Sequence, residues 1–293
     1  MDDRGNPAHA GPAATVILPT FNERGTIGEL VEELLRTSDA VDVLIVDDNS
    51  PDGTGEIAER VCLGNPRVSV IHRAGKLGLG SAYIEGFRRA LARGASRVVT
   101  MDADYSHHPR HLNALVAATE KFDISIGSRY ARAGGVAADW GWHRKLLSRG
   151  ANAFTRRALG FDTRDCTSGF RCYRREVLES IDWSRVRSSG YSFLVETLYV
   201  ARSRGFSVGE VPILFESRTR GRSKIGIGEV FKAVYTVARL HRLRAPIEPL
   251  IENRNNSRVP PGRIPGDPAQ RPPPGGGPGS AETNSSKKSR AGA

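Results

Sequence analysis

The chain has 293 residues, of which 39% are hydrophobic, so its apolar content can form the core of one large domain or two small ones. The formal net charge is +11; seven Lys or Arg and two Asp or Glu lie in residues 253–293, so that segment carries +5 and the rest +6. A moderately basic body fits nucleic acid, an anionic membrane surface or phosphate-bearing substrates. Aromatic-rich basic strands of the RNA-binding kind are missing, which ranks nucleic acid last.

The two ends of the chain have compositions typical of disorder, in residues 1–13 and in the Pro/Gly/Arg-rich residues 251–293, because such segments cannot bury enough apolar surface. The three cysteines lack metal-ligand spacing, and no apolar leader precedes residue 15, so we expect a cytoplasmic protein with reduced thiols. No apolar run reaches the roughly 18 residues of a membrane span, so we expect no spanning segment.

In the first half of the chain, short β-branched runs alternate with amphipathic helical stretches. This alternation predicts an α/β fold with a mostly parallel sheet covered by helices on both faces. Strands are predicted near residues 15–18, 41–46, 68–72, 97–101 and 124–127, and helices around 27–35, around 82–91 and from residue 109. Ligands of such sheets bind beyond the carboxyl ends of the strands.

Five consecutive predicted strands end in polar residues. These ends are residues 19–23, 47–54, 73–80, 102–104 and 127–130. Each has a structural alternative, since Asn22 and Glu23 could cap a helix, and Asp52 and Thr54 could be turn and N-cap residues. Because the ends recur at one edge of the predicted sheet, we interpret them together as a single binding site.

Asp102 and Asp104 follow the strand that ends near Met101, two residues apart. Carboxylates are hard oxygen ligands, and Mg²⁺ or Mn²⁺ is usually held by one or two of them together with phosphate oxygens. The pair therefore indicates a divalent cation and a nucleotide-linked substrate, with a solvated loop as the alternative.

The glycines of residues 75–80 suggest a dinucleotide-binding loop but lack the G-x-G-x-x-G order and follow the third strand. We interpret them as a tight turn into a helix that begins near Gly80.

The second half of the chain is less regular. Residues 143–157 form a basic helical pattern that predicts either a surface helix or a helix placing Arg144 on a phosphate. Residues 165–173 predict a loop entering a strand, and a helix from Tyr191 carries Glu196, which either faces a cleft or pairs with an arginine. Residues 208–213 are predicted to form a strand, and residues 218–224 a basic loop able to close over a phosphate. Residues 227–243 are predicted to form a helix that packs on the core or lies in a membrane interface.

These patterns resemble glycosyltransferase family 2, and within it the polyprenyl (dolichyl) phosphate mannose synthases, over about residues 15–243. The resemblance rests on residues 18–23, 46–54, 101–109, 127–130, 148–152, 209–213 and 223–224. It implies one nucleotide-sugar-binding domain of the GT-A type over residues 14–250, with a C-terminal amphipathic helix.

The activity implied by this resemblance is inverting transfer of mannose from GDP-mannose to a polyprenyl monophosphate, with Mg²⁺ or Mn²⁺ as cofactor. The enzyme would then lie peripherally on the cytosolic face of a membrane, with a separate membrane-anchoring protein as a further candidate partner. A phosphate monoester has a second pKa of about 6, so the acceptor is largely a dianion at neutral pH and needs little general-base help.

The resemblance also implies a role for each matched residue. Donor binding falls to Pro19, Asn22, Glu23, Asp48, Asp102, Ala103, Asp104, Arg129 and Lys224. Metal binding falls to Asp102, Asp104 and Ser106, acceptor-phosphate binding to Arg129, Arg144 and Ser148, and catalysis to Asp104, Arg129, Arg144 and Lys224. Some relatives carry a larger amide side chain at the position of Ser106.

Two other functions remain open at this stage. One is transfer of glucose from UDP-glucose to a polyprenyl phosphate, although those relatives typically carry two spanning helices that this chain lacks. The other is a non-catalytic nucleotide-sugar-binding module. A basic DNA-associated protein and a sugar-1-phosphate nucleotidyltransferase rank below both.

Overall fold

The computed structural model describes residues 14–138, 140–216 and 227–243, all within one compact unit. The predicted disordered ends, the basic loop 218–224 and Lys224 lie outside the described residues. The predicted domain limits therefore stay predictions.

Strands and helices alternate through the first half of the chain, as predicted. Strands β1 to β5 are Ala14–Thr20, Val41–Asp47, Val68–His72, Arg97–Thr100 and Ile124–Ser128. Helices α1 to α4 are Ile27–Thr37, Thr54–Gly64, Leu79–Ala92 and Leu112–Ala118, the last preceded by a 3-10 turn over Pro109–His111.

The second half adds shorter strands and four helices to the described fold. Strands β6 to β9 are Gly135–Val136, Arg171–Arg174, Val208–Pro212 and Leu214–Phe215. Helices α5 to α8 are Trp142–Leu159, Arg175–Ser180, Tyr191–Ser203 and Ile227–Arg242.

The main sheet has seven strands in the order β3-β2-β1-β4-β7-β5-β8. Strand β7 is antiparallel to its neighbours β4 and β5, and the other pairings are parallel. The carboxyl ends of β1, β2, β4 and β5 therefore meet at one edge of the sheet, which we call the carboxyl edge. Strands β6 and β9 form a separate parallel pair. The predicted mostly parallel α/β fold is confirmed.

Alternation along β1 places apolar side chains on both faces of the sheet. Val16 and Leu18 pack with α1, and Ile17 packs on the opposite face with Phe87 of α3. The two core layers hold the strands rigid, so the polar loops at the carboxyl edge start from fixed positions.

Helix α3 passes so close to β1 that a Cβ atom at Gly86 would lie 2.7 Å from Cγ2 of the fully buried Ile17. We expect Gly86→Ala to lower the free energy of unfolding by about 1–3 kcal/mol, because the core must shift to admit the methyl group. Urea denaturation measures the loss. Gly150→Ala in α5 is the control, since no described atom lies within 4 Å of its added Cβ. It should raise stability by about 0.5–1 kcal/mol, and equal losses in both variants would contradict overpacking.

Candidate active site

The loops after β1 and β2 are joined by hydrogen bonds at the carboxyl edge. Thr20 Oγ1 donates to Asp47 Oδ1 at 3.0 Å, and the backbone N–H of Ser50 donates to Asp47 Oδ2 at 3.0 Å. The backbone N–H of Asn22 in turn donates to Ser50 Oγ at 3.1 Å. The two loops are thus fixed relative to each other, and the predicted donor-binding residue Asn22 lies at the contact between them.

The structure decides between the functional and the turn or capping interpretations of some strand-end residues. Asp52 is a turn residue, since its Oδ1 accepts from the Thr54 N–H at 3.0 Å and from the Thr54 hydroxyl at 2.6 Å. Burial alone would raise the pKa of Asp52, but the hydrogen bonds, first those from Thr54, hold it below its ordinary value. The capping alternative for Asn22 and Glu23 is wrong, because Thr26 is the N-cap residue of α1.

Asp48 forms a buried ion pair with Arg73 and accepts from the backbone N–H of Gly78 at 3.3 Å. Gly78, with φ of +96°, leads directly into α3 at Leu79, so the predicted start of a helix near Gly80 is confirmed. The donor-binding role of Asp48 stays a prediction.

The two carboxylates after β4 differ in their surroundings. Asp104 is buried, and its Oδ1 accepts from the Ser106 N–H at 3.0 Å and the Ser106 hydroxyl at 2.5 Å. The side chain of Asp102 is 23% exposed, with its Oδ2 3.8 Å from Nδ1 of His107. Between them, Ala103 O accepts from Thr26 Oγ1 at 2.8 Å, which ties this loop to α1. Asp104 is therefore fixed by hydrogen bonds within the protein, whereas Asp102 is partly accessible to solvent.

This pair fits a divalent cation that completes its coordination with other ligands. Among the described residues, no three His, Cys, Asp or Glu side chains converge as a metal cluster. Mg²⁺ or Mn²⁺ is commonly held by one or two carboxylates together with water and phosphate oxygens, and this site offers two, one of them partly exposed. Ser106 contacts Asp104 and positions it, whereas its metal-ligating role stays a prediction.

Four of the described strand-end loops contain a non-glycine residue with positive φ. These are Asn22 at 62°, Asn49 at 57°, Tyr105 at 63° and, in the loop after β5, Ala133 at 70°. Such conformations are uncommon outside glycine and concentrate where a loop must hold a functional shape. Tyr105 follows Asp104 directly, and burial, with the nearby Glu33, raises its pKa to about 12.

After β5, Arg129 is held by Asp165, a residue to which the sequence assigned no role. Nε and Nη2 of Arg129 donate to the two carboxylate oxygens of Asp165 at 2.7 Å each, and Nη2 also donates to Thr167 Oγ1 at 2.8 Å. Burial alone would lower the pKa of Arg129 and raise that of Asp165, but their attraction outweighs burial in both cases. The pKa of the arginine is therefore raised, and that of the aspartic acid is lowered.

The ring of Phe215 in β9 connects the halves of the site. Its centroid lies 5.2 Å from Cζ of Arg129, 5.4 Å from the ring of His107 and 5.4 Å from the ring of Trp140. Arg144, exposed near the start of α5, lies with its Cζ 5.6 Å from the Trp140 ring. The structure thus brings Arg129 and Arg144 to one aromatic group that also reaches His107, the neighbour of Asp102.

Ser148 lies beside Tyr130, whose hydroxyl donates to Ser148 Oγ at 2.7 Å. Asn152 supports this part of α5, since its Nδ2 donates to Ser148 O and to Thr167 Oγ1 at 3.0 Å each. The predicted acceptor-phosphate residues Arg129, Arg144 and Ser148 therefore belong to one region.

Glu196 pairs with an arginine, which confirms the second of its two predicted roles. Its Oε1 accepts from Arg239 Nη2 at 2.7 Å, and its Oε2 accepts from the backbone N–H groups of Arg187 and Ser188 at 3.1 and 2.7 Å. The buried carboxylate fastens α8 to α7.

The sheet order, with a carboxylate pair at the end of β4, defines an α/β fold of the GT-A type. The sequence matches the family described as Glycosyl transferase family 2 over residues 15–182, more than half of the chain. The chain belongs to this family, as its motifs predicted.

Two relatives are similar over most of their length. The chain is 45% identical over 237 residues to polyprenol monophosphomannose synthase of Mycolicibacterium smegmatis, covering 80% of this chain and 89% of that protein. It is 43% identical over 226 residues to undecaprenyl-phosphate mannosyltransferase of Micrococcus luteus, covering 76% and 91%.

Solved structures show the same fold at lower identity. Glucosyl-3-phosphoglycerate synthase from Mycobacterium tuberculosis, in complex with Mn²⁺, UDP and glucosyl-3-phosphoglycerate, has a TM-score of 0.58 at 21% identity, covering 80% of this chain and 81% of that one. Mannosyl-3-phosphoglycerate synthase from Rubrobacter xylanophilus has a TM-score of 0.55 at 20% identity, covering 88% and 79%.

Proposed function

We propose that this protein transfers mannose from GDP-mannose to a polyprenyl monophosphate, giving polyprenyl-phosphate-mannose and GDP. The observation that carries the proposal is the identity of 45% and 43% to relatives named for mannose transfer to polyprenyl acceptors. The carboxylate pair Asp102 and Asp104 at the carboxyl edge supports catalysis over a binding-only role, because it provides ligands for a divalent cation that would neutralise a diphosphate leaving group.

On the donor side, the end of β1 supplies Pro19, and the loops after β1 and β2 supply Asn22, Glu23 and Asp48, to the guanosine part. The hydrogen bonds through Asp47 and Ser50 hold these loops in place before substrate arrives. Asp102 and Asp104 would hold Mg²⁺ or Mn²⁺, which supplies neutralisation of the charge that develops on the diphosphate. Ser106 fixes Asp104, so the carboxylate needs little reorganisation during the reaction.

On the acceptor side, Arg129, Arg144 and Ser148 receive the phosphate of the polyprenyl chain. Asp165 balances the charge of Arg129, whereas Arg144 forms an ion pair with none of the carboxylates in the described part of the chain. Arg144 therefore contributes the larger net positive charge toward the acceptor. Catalysis then consists of holding two anions in line and neutralising their charge, since the acceptor dianion is already a nucleophile.

The acceptor is a lipid, and two helices of the body expose apolar faces suited to its membrane. Helices α5 and α8 contact each other, and none of the described helices is both long and apolar enough to cross a bilayer. Trp142 is 77% exposed and Phe231 70% exposed. Among the described side chains of these helices, the other large apolar ones that are exposed are Leu146, Leu147, Phe154, Val234 and Tyr235. We place these faces on the cytosolic surface of a membrane, with a separate anchoring protein as an additional partner.

Replacing both Phe231 and Tyr235 by serine should weaken binding to phospholipid vesicles by about tenfold or more, because each side chain contributes roughly 1.5–3 kcal/mol when buried in an apolar phase. Vesicle flotation measures the change. The control is the pair Leu63→Ser and Leu77→Ser, which removes exposed leucines from other parts of the surface. An equal loss in both pairs would place the membrane contact elsewhere.

The function is tested by transfer of labelled sugar from GDP-mannose, and in parallel from UDP-glucose, to a short polyprenyl phosphate in detergent with Mg²⁺ or Mn²⁺. Mannolipid from GDP-mannose alone supports the proposal. Product from UDP-glucose alone would assign the protein as a glucosyltransferase. The positive control is an active relative assayed with the same lipid acceptor. If that relative forms product while this protein binds the nucleotide sugar without forming any, the protein would be assigned as a binding module.

A further inference from the structure

A cavity of about 370 Å³ lies beside α5, on the flank between its buried and exposed faces. Its volume is within the range of about 300–1,000 Å³ that small-molecule sites occupy. Four arginines line it, and neither Arg144 nor Ser148 does. The lining residues are Arg129, Tyr130, Ala131, Gly134, Arg149, Asn152, Ala153, Arg156 and Arg164.

Positive charge in this cavity exceeds the negative charge beside it. Asp165 balances Arg129, but no described carboxylate forms an ion pair with Arg149, Arg156 or Arg164. Glu210 is close by, yet its two oxygens accept from the backbone N–H groups of Arg164 and Asp165, at 2.9 and 3.0 Å.

Arg156 gives a second, independent indication of a ligand. Its Nε is buried and has no hydrogen-bond partner among the residues that the structure describes. A buried donor without an acceptor is unfavourable and rare in folded proteins. Arg156 also lines the cavity, so a rotation of its guanidinium would let an anion there serve as the missing acceptor. Guanidinium groups bind phosphate oxygens in pairs with strong, charge-assisted hydrogen bonds.

The wall of the cavity is already held in shape. Asn152 bonds to Ser148 and Thr167 through its Nδ2, and its Oδ1 accepts from the backbone N–H of Cys166 at 2.8 Å. The guanidinium of Arg149 lies 6.0 Å from the centre of the Tyr130 ring. A ligand would thus meet a largely preformed site.

We infer that this cavity binds a phosphate-bearing anion, at a site that shares Arg129 with the acceptor region but is otherwise separate from it. The anion is the headgroup of an anionic phospholipid or a soluble phosphate compound. Trp142, Arg149 and Arg156 are spaced seven residues apart along α5 and so lie on one face of the helix, which would let a headgroup enter from the same side as the exposed Trp142. The inference goes beyond the proposed function, because it does not depend on which sugar is transferred.

The test uses the full chain with Arg149→Gln and Arg156→Gln together. The control carries Lys145→Gln and Arg157→Gln, which remove the same charge from the same helix at residues that do not line the cavity. Calorimetric titration with inorganic phosphate should show one fewer bound phosphate in the double variant than in the wild type and the control. Ala153→Leu fills the cavity without changing its charge and should also bind one phosphate fewer than the wild type. This variant therefore excludes the lower net charge as the sole cause of weaker phosphate binding.

Vesicles distinguish the two sources. If the source is a headgroup, the double variant binds phosphatidylglycerol-containing vesicles severalfold more weakly than the control, and both bind phosphatidylcholine vesicles equally. If the source is soluble, vesicle binding is equal and only the phosphate difference remains. Equal behaviour of the double variant and the control toward phosphate and toward both vesicles overturns the inference.

Discussion

Replacing Asp104 by asparagine is expected to abolish most sugar transfer while the protein stays folded. Asparagine keeps the shape of the side chain and an oxygen that can accept from Ser106, so the turn after β4 can persist. The negative charge is lost, and with it the proposed ability to hold a cation against the diphosphate. We expect kcat/KM to fall by about 10³-fold or more, comparable with removal of one strong electrostatic contact at a transition state. Steady-state transfer from GDP-mannose measures the fall.

Ser106→Ala is the matched control for that experiment, since it keeps the charge of Asp104 and removes one of its two hydrogen bonds from Ser106. It should lower kcat/KM by about tenfold, which corresponds to one ordinary hydrogen bond. Calorimetric binding of Mn²⁺ in the presence of GDP provides a second readout, strongly weakened by Asp104→Asn and weakly by Ser106→Ala. If Asp104→Asn kept a tenth of the wild-type activity at an unchanged thermal midpoint, this carboxylate would not be part of the reaction.

Replacing Asp165 by asparagine is expected to cost about 3–5 kcal/mol in the free energy of unfolding, because it leaves a buried guanidinium without its counter-charge. Asp165 is fully buried and the side chain of Arg129 is only 9% exposed. Urea denaturation at neutral pH measures the loss. Asp162→Asn is the control, since the Asp162 carboxylate is almost fully exposed and makes only a long ion pair, at 3.7 Å, with Arg202. The denaturation midpoint of this variant should not change.

The pH dependence of this loss follows from the lowered pKa of Asp165. A carboxyl group whose pKa is lower in the folded state stabilises the protein above its unfolded value, about 3.9, and this contribution is lost as pH falls through the folded value. The difference between wild type and Asp165→Asn should therefore be constant near neutral pH and shrink under acid conditions. The double variant Asp165→Asn/Arg129→Gln, which removes both charges, should regain part of the stability; no regain would show that the ion pair is not the cause.

Local sequence patterns predicted the strands of the first half and the loops that follow them. Apolar alternation and strand length carry that information within a few neighbouring residues, which is why the position of Asp104 at the end of β4 was predictable. The capping residue of α1 was not, because Asn22, Glu23 and Thr26 are all plausible caps in sequence and only the backbone shows which one serves.

Contacts between distant segments account for what the sequence could not predict. Asp165 lies 36 residues beyond Arg129, and no local pattern joins them. Phe215 stands in a two-residue strand, too short for any periodicity, yet its ring contacts both Arg129 and His107. The two alternatives for Glu196 could be separated only once α8 was seen to place Arg239 beside it.

The antiparallel strand β7 has a consequence for the order in which the protein forms during synthesis. Strands β1 to β4 pair with one another, so the half of the site with Asp102 and Asp104 can assemble from the first part of the chain. Strand β5, which leads to Arg129, has no sheet neighbour until β7 and β8 are made. The half that we propose to meet the acceptor is therefore expected to close late, after residues 171–212 have left the ribosome.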